Sequence, residues 1–220
     1  GLSLGIACSI LIFALVNYHL SFDTFHKNKN RVYRIVTEWH DGDINYSGAV
    51  PSPLGKSVRS EFTFAEKTAR VISYGNVLIS VPGKTAVNKF NEEKGAAFVE
   101  PEFFDILDFP LVKGDKSQVL KNPNSAIISE KLAKKYFGDA DAIGKTIRFE
   151  NHINFSVTGI LKDIPANTDR LQEIYLSYQD LKEYQPWLAG DSSWGGVYSG
   201  SQVFTLLKPA ATWSPGTKEI

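Results

Sequence analysis

The chain has one cysteine, no methionine and, from Gly1 to Phe22, no charged side chain. The cysteine is Cys8, inside the uncharged stretch, so the remainder can form neither a disulfide nor a cysteine-ligated metal site, which suits either side of a membrane. Without methionine there is no initiator residue. A sequence that opens on Gly1 and closes on Pro209 to Ile220, just past a strand-like Thr205-Leu206-Leu207, reads as a piece of a longer one. An excess of charge of one sign is missing as well: Lys plus Arg and Asp plus Glu are 24 each, which leaves no electrostatic footprint for a nucleic acid. The four histidines, His19, His26, His40 and His152, are scattered, none at i, i+3 or i+4 from another, so the helical spacing of metal ligands is lacking. His19 suits a membrane interface, and the other three read as solvent-facing or strand-edge residues.

What the uncharged stretch does contain is an apolar run long enough to cross a membrane. At about 1.5 Å of rise per residue, a helix from Leu2 to Leu20 covers roughly the 30 Å hydrocarbon core. Tyr18, Phe22 and Phe25 then fall where an aromatic belt lies. A cleaved signal peptide fits less well: no basic residues precede the run, the run exceeds a usual apolar region, and no small-x-small site closes it. Leu4 to Cys8 faintly resembles a lipoprotein cleavage box, but there the apolar run comes before the cysteine and here it follows. Gly1, Gly5 and Ser9 form a strip of small residues on one helix face, which permits close helix packing in lipid; small residues are also simply common in membrane helices. Lys27, Lys29, Arg31 and Arg34 follow the span and alone would put the domain in the cytoplasm, yet long domains translocate largely regardless of charge, so the side stays open.

The roughly 200 residues after the span suffice for a proper core, and a chain that is 43% hydrophobic and 12% aromatic predicts a folded domain. Val32, Tyr33, Ile35 and Val36 read as a strand leaving the membrane, with a turn near Asp41-Gly42-Asp43. Ser52 is placed to cap a helix that Pro53 opens, with Leu54, Val58 and Phe62 on one face. Ala69 to Val81 reads as two strands turning at Tyr74-Gly75-Asn76, and Ala96 to Val99 as another. Glu100 to Phe109 predicts a helix opened by Pro101 and stopped by Pro110, with Phe103, Phe104 and Leu107 as its apolar stripe. Ser125 to Ile128 is strand-like, and Ser129 caps a helix over Glu130 to Phe137 that Gly138 closes. Thr146 to Phe149 and Ile153 to Val157 alternate around Asn151-His152 as a hairpin. Ile174 to Leu176, a helical stretch near Gln179 to Tyr184, a Gly/Ser-rich loop over Asp191 to Ser201 and a strand over Val203 to Leu207 complete an α+β pattern.

Chemistry is harder to find. Gly144-Lys145-Thr146 resembles the end of a phosphate-binding loop, but the spacing back to Gly138 is one residue too long, and a strand follows where a helix N-terminus is needed. Gly83-Lys84-Thr85 has no correctly spaced glycine. The carboxylate pairs Glu92-Glu93 and Asp105/Asp108 would share a proton if buried, and otherwise form the wet face of an amphipathic segment. Ser129 needs only its capping role. Asn45-Tyr46-Ser47 and Asn154-Phe155-Ser156 fit the glycosylation pattern. The basic run Lys27 to Arg34 suits anionic headgroups or a solvated linker. Tyr184 to Tyr198, with Trp187 and Trp194, is either a partner-binding loop or an ordinary one partly packed on the sheet. No catalytic set, cofactor site or metal site emerges.

Taken in order, these segments resemble the MacB/FtsX-like permease subunits of ABC transporters, in the form typical of Bacteroidota. The residues that carry it are Gly1 to Ala7, Leu20 to Asn28 (LSFDTFHKN), Arg31 to Ile35 (RVYRI), Phe103 to Asp115 (FFDILDFPLVKGD), Asn124 to Glu130 (NSAIISE), Ala133 to Gly138 (AKKYFG), Ile143 to Thr146 and Val157 to Pro165 (VTGILKDIP). The resemblance implies a first transmembrane helix over residues 1–22 and a MacB-like periplasmic core domain over 23–220, in the cell inner membrane with the domain in the periplasm. It implies a separate ATPase subunit, a second permease copy or homologous half, membrane lipids and possible periplasmic adaptor or outer-membrane partners, and no catalytic residues. On that reading Ser21 to Arg34 is a mechanical link, with Asp23, Phe25, His26, Arg31, Tyr33 and Arg34 coupling span to domain. Two rival classes are a single-span extracytoplasmic sensor or ligand-binding module, which would need a pocket, and a membrane-anchored hydrolase, which would need clustered catalytic groups.

Overall fold

The computed structural model describes residues 2–83 and 86–209. Helix α1 (Leu2–Leu20) has none of its residues buried and is long and apolar enough to cross a membrane. Gly5 and Ser9 lie on its exposed surface, Ser9 Oγ donating to Gly5 O at 2.9 Å; Gly1, the third member of the expected strip, lies outside the described residues.

Among the described residues, eleven strands form one sheet. Its spatial order is β1 (Val32–Arg34), β13 (Ser201–Leu207), β4 (Ala65–Tyr74), β7 (Ala96–Val99), β12 (Ile174–Ser177), β9 (Ser125–Ser129), β11 (Ile153–Leu161), β10 (Thr146–Phe149), β5 (Val77–Pro82) and β6 (Val87–Glu92), with β8 (Leu111–Lys113) also on β11. The pairs β7·β12 and β9·β11 are parallel and the others antiparallel. A separate hairpin joins β2 (Thr37–Asp41) to β3 (Asp43–Ser47) around Gly42.

Alternation along each strand sends side chains to opposite faces, and both faces are covered. Ile72, Phe98, Ile128, Phe155 and Leu176 point to one core, closed by Leu132 and Tyr136 of α4 (Glu130–Phe137) and by Leu181 and Leu188 of the short helices α5 (Leu181–Tyr184) and α6 (Pro186–Ala189). Their neighbours Val71, Val99, Ile127 and Tyr175 point to a second core, closed by Phe103, Phe104 and Ile106 of α3 (Phe103–Ile106) and by Phe109. Each fully buried phenylalanine contributes about 1.5–3 kcal/mol of hydrophobic stabilisation, and these aromatics fasten α3 to the sheet.

The α4 unit follows its sequence signals: Ser129 Oγ accepts from Leu132 N at 3.1 Å, and Gly138 takes φ 63° at the end. The hairpin turn between the paired Phe149 and Ile153 puts Glu150 and Asn151 both at φ 51°, with His152 N donating to Phe149 O at 2.8 Å. Ser52 does not cap. Helix α2 (Leu54–Glu61) starts later, with Pro53 at the N-cap and no side-chain bond, because the carbonyls of Pro51 and Pro53 accept from Leu54 N (3.1 Å) and Lys56 N (3.0 Å) instead. The helix expected over Glu100 to Phe109 is a single turn: Leu107 is already extended (φ −104°, ψ 106°), so Pro110 is not what stops it, and Asp108 lies beyond its end. The strand after the span divides into β1 and β2, and β6 and β8 are strands that periodicity alone did not mark.

Candidate functional site

The end of α1 is tied to the domain by hydrogen bonds from a loop far along the chain. Ser21 O and Oγ accept from Asn167 Nδ2 at 3.0 and 3.1 Å, and Asp23 N donates to Asn167 O at 3.1 Å. Asp23 occupies the left-handed region (φ 53°), which turns its carboxylate back onto the same loop: Oδ1 accepts from Thr168 Oγ1 and Oδ2 from Asp169 N at 3.4 Å. Aspartate tolerates this conformation better than most residues because its short side chain bonds locally.

His26 comes next, and it is buried rather than solvent-facing, at 4% exposure. Its ring lies 4.1 Å from that of Phe25 and meets Phe109 edge-on at 5.1 Å, and neither ring nitrogen has a hydrogen-bond partner. Burial pulls its pKa below the ordinary histidine value, against the pull of Asp23 (3.8 Å away) and Asp108, so the ring is neutral at pH 7. Phe25 itself is 38% exposed and packs on Phe109 at 5.9 Å.

Arg31 closes the junction against the sheet edge. Its guanidinium donates to Leu207 O (2.7 Å), Glu66 Oε2 (2.8 Å) and Asn28 Oδ1 (3.1 Å), while Arg31 O accepts from Leu207 N at 2.9 Å. Arg34 and Tyr33 continue into β1, paired with Phe204 and Thr205 of β13. Asp23, His26 and Arg34 thus line one space beside α1's foot with Phe25 packed on His26, whereas Arg31 and Tyr33 bind along the sheet edge. The loop Asn167-Thr168-Asp169-Arg170 completes the junction and was not singled out in the sequence; its one local signal is the run of polar, turn-forming residues after Pro165.

The remaining candidates fall elsewhere. Asp105 accepts from Lys67 Nζ at 2.7 Å, and Lys116 lies 3.9 Å from Asp105 and 3.7 Å from Asp108; Asp105 is a lysine-neutralised, half-exposed carboxylate, whereas Asp108 is largely buried with Oδ2 unpartnered among the described residues. Glu92 is buried and accepts from Tyr136 Oη and Lys135 Nζ, both at 2.7 Å; burial first, and then this bond, drive the Tyr136 hydroxyl well above its usual range. Gly144 and Lys145 form the turn into β10, a strand. Lys84 and Thr85 lie outside the described residues. In the aromatic loop Tyr184 and Tyr198 pack on the core, whereas Trp187 and Trp194 are about half exposed.

All of the sequence, residues 1–220, matches the pattern of the MacB-like periplasmic core domain. Similar solved structures include a domain from a permease protein of Porphyromonas gingivalis, at 19% identity and TM-score 0.67, covering 85% of this chain and 77% of that one. The periplasmic region of MacB from Actinobacillus actinomycetemcomitans is similar at 16% identity and TM-score 0.54, covering 74% and 67%. At such identities the likeness is one of fold. No curated protein matches.

Proposed function

The chain belongs to the family of MacB-like periplasmic core domains, and we propose that it is the first transmembrane helix (residues 1–22) and periplasmic core (residues 23–220) of an ABC-transporter permease subunit in the cell inner membrane. Nucleotide is bound by a separate ATPase subunit, and a second permease copy or homologous half completes the transporter. The substrate is expelled from the periplasm or extracted from the membrane, as in efflux or in lipoprotein or peptide export, with a periplasmic adaptor or outer-membrane protein as a further partner. The observation that supports this reading best is the brace of Ser21 and Asp23 on Asn167 and Thr168, because a span that runs into its domain without slack passes on a tilt or rotation. In this role Asp23, Phe25, His26, Arg31, Tyr33 and Arg34 transmit movement and carry no chemistry, and Gly5 and Ser9 face a neighbouring helix in the membrane.

Inserting four Gly/Ser residues after Lys27 in the membrane-embedded transporter tests it. ATP hydrolysis should continue while substrate transport is lost. Transport at the unaltered rate would overturn the coupling role.

A further inference from the structure

Beside the junction lies a cavity of about 230 Å³, smaller than the roughly 300–1,000 Å³ that drug-sized ligands occupy. Three cations line it: Lys29, Arg34 and Arg170. Arg170 is the unusual one. It is only 8% exposed, its guanidinium lies 4.7 Å over the ring of Phe204, and among the described residues no carboxylate stands within ion-pair distance and no acceptor takes its side-chain N–H groups. Lys29 and Arg34 are exposed and likewise have no carboxylate within ion-pair distance among the described residues. Two carboxylates share the lining, Asp23 and Asp169, but Asp23 is taken up by Thr168 and the Asp169 amide.

No guanidinium nitrogen of Arg170 is sealed off from solvent, so its fork of five donors opens on the cavity with no protein acceptor among the described residues. Here burial lowers the Arg170 pKa, Arg34 lowers it further by repulsion, and Tyr175, Asp169 and Asp23 pull the other way. Three cations thus face one small space that holds more positive than negative charge and a guanidinium preorganised for a planar oxyanion edge.

We propose that this cavity binds a phosphate-type oxyanion through Arg170, Arg34 and Lys29, and that the anion is the phosphate of a phospholipid headgroup. The site itself follows from the cavity alone. The headgroup source rests on the reading that α1 crosses a membrane, which puts residues 21–34 at headgroup level, where each basic residue near an anionic surface adds to binding.

The test uses the whole chain, purified in detergent and stripped of lipid. Inorganic phosphate, against chloride at equal ionic strength, and phosphatidylglycerol added to the micelles form two arms, read by melting temperature and by native mass spectrometry. A ligand that binds only the folded state raises the melting temperature. Phosphatidylglycerol binding supports the site and its headgroup source. Binding of inorganic phosphate alone supports the site and overturns that source. Arg170→Met, whose thioether chain keeps packing on Phe204, should abolish the response. Lys29→Ser/Arg34→Ser, at exposed positions that do not threaten folding, should weaken binding by about tenfold or more. No response in either arm, or one unchanged in the double variant, overturns the proposal. Alkaline extraction of membranes reports separately whether α1 is inserted, so failure of the span and failure of the site are told apart.

Discussion

Asp23 and Thr168 stand far apart in the chain and share a hydrogen bond, Thr168 Oγ1 donating to Asp23 Oδ1 at the foot of α1. The bond depends on the left-handed backbone of Asp23, which aims the carboxylate at the loop. Thr168→Val leaves a partly buried carboxylate short of a donor and should cost about 1–3 kcal/mol. Asp23→Ala should cost more, because it adds about 1–2 kcal/mol of left-handed strain. Asp23→Asn, which keeps an acceptor and tolerates the conformation, should cost least. Denaturant unfolding of the three variants gives the order.

His26 makes stability depend on pH. Its folded pKa lies below the unfolded value of 6.5, so below about pH 6.5 the unfolded chain takes up a proton that the folded one resists. Stability contributed by the neutral ring is therefore complete above pH 6.5 and declines as pH falls. His26→Phe keeps a ring among Phe25 and Phe109 and should remove that part of the slope. Unfolding curves of both proteins from pH 8 to pH 5 make the comparison, and equal slopes would refute it.

Glu100 is the hub of a second cluster. It accepts from Arg59 at 2.6 Å, from the Arg70 guanidinium at 2.8 and 3.0 Å, and from Arg70 N at 2.9 Å, with Glu100 and Arg70 both largely buried. Glu100→Ala leaves the largely buried Arg70 only its half-exposed partner Asp191, at 3.1 Å, and should cost about 3 kcal/mol. Arg59→Ala removes a half-exposed partner and should cost about 1 kcal/mol or less. Thermal or urea unfolding separates the two.

Gly95 sits at φ 72°, and a Cβ there would come within 1.7 Å of Tyr74 O. Gly75, in the facing turn, has open space at the same position and an ordinary φ. Gly95→Ala should destabilise by more than about 2 kcal/mol, whereas Gly75→Ala should be close to neutral. Melting temperatures of both variants settle the contrast.

The sequence disclosed elements where local chemistry decides them. Ser129 and Gly138 bracket α4 at the expected residues because a cap and a left-handed stop are local events. Ser52 and the Glu100 to Phe109 segment read differently because neighbouring carbonyls and the need to bury Phe103 and Phe104 outweighed the capping and proline signals. Strand β6 shows five accessible positions out of six, so it has no apolar alternation to detect. At the junction, the near-span residues Asp23, His26 and Arg31 were legible, but His26 was placed on the surface, since nothing local reveals that Phe109 covers it. Asn167, Thr168 and Arg170 join them only through long-range folding, which no single-sequence spacing encodes.

Arg31 and Leu207 exchange backbone and side-chain hydrogen bonds, so the strands by which the chain enters and leaves the sheet are side by side at one edge. If α1 transmits force, as proposed, that force reaches the domain beside the strand through which the chain leaves the sheet, so the domain would turn about this edge and its interior strands would bear little of the tension.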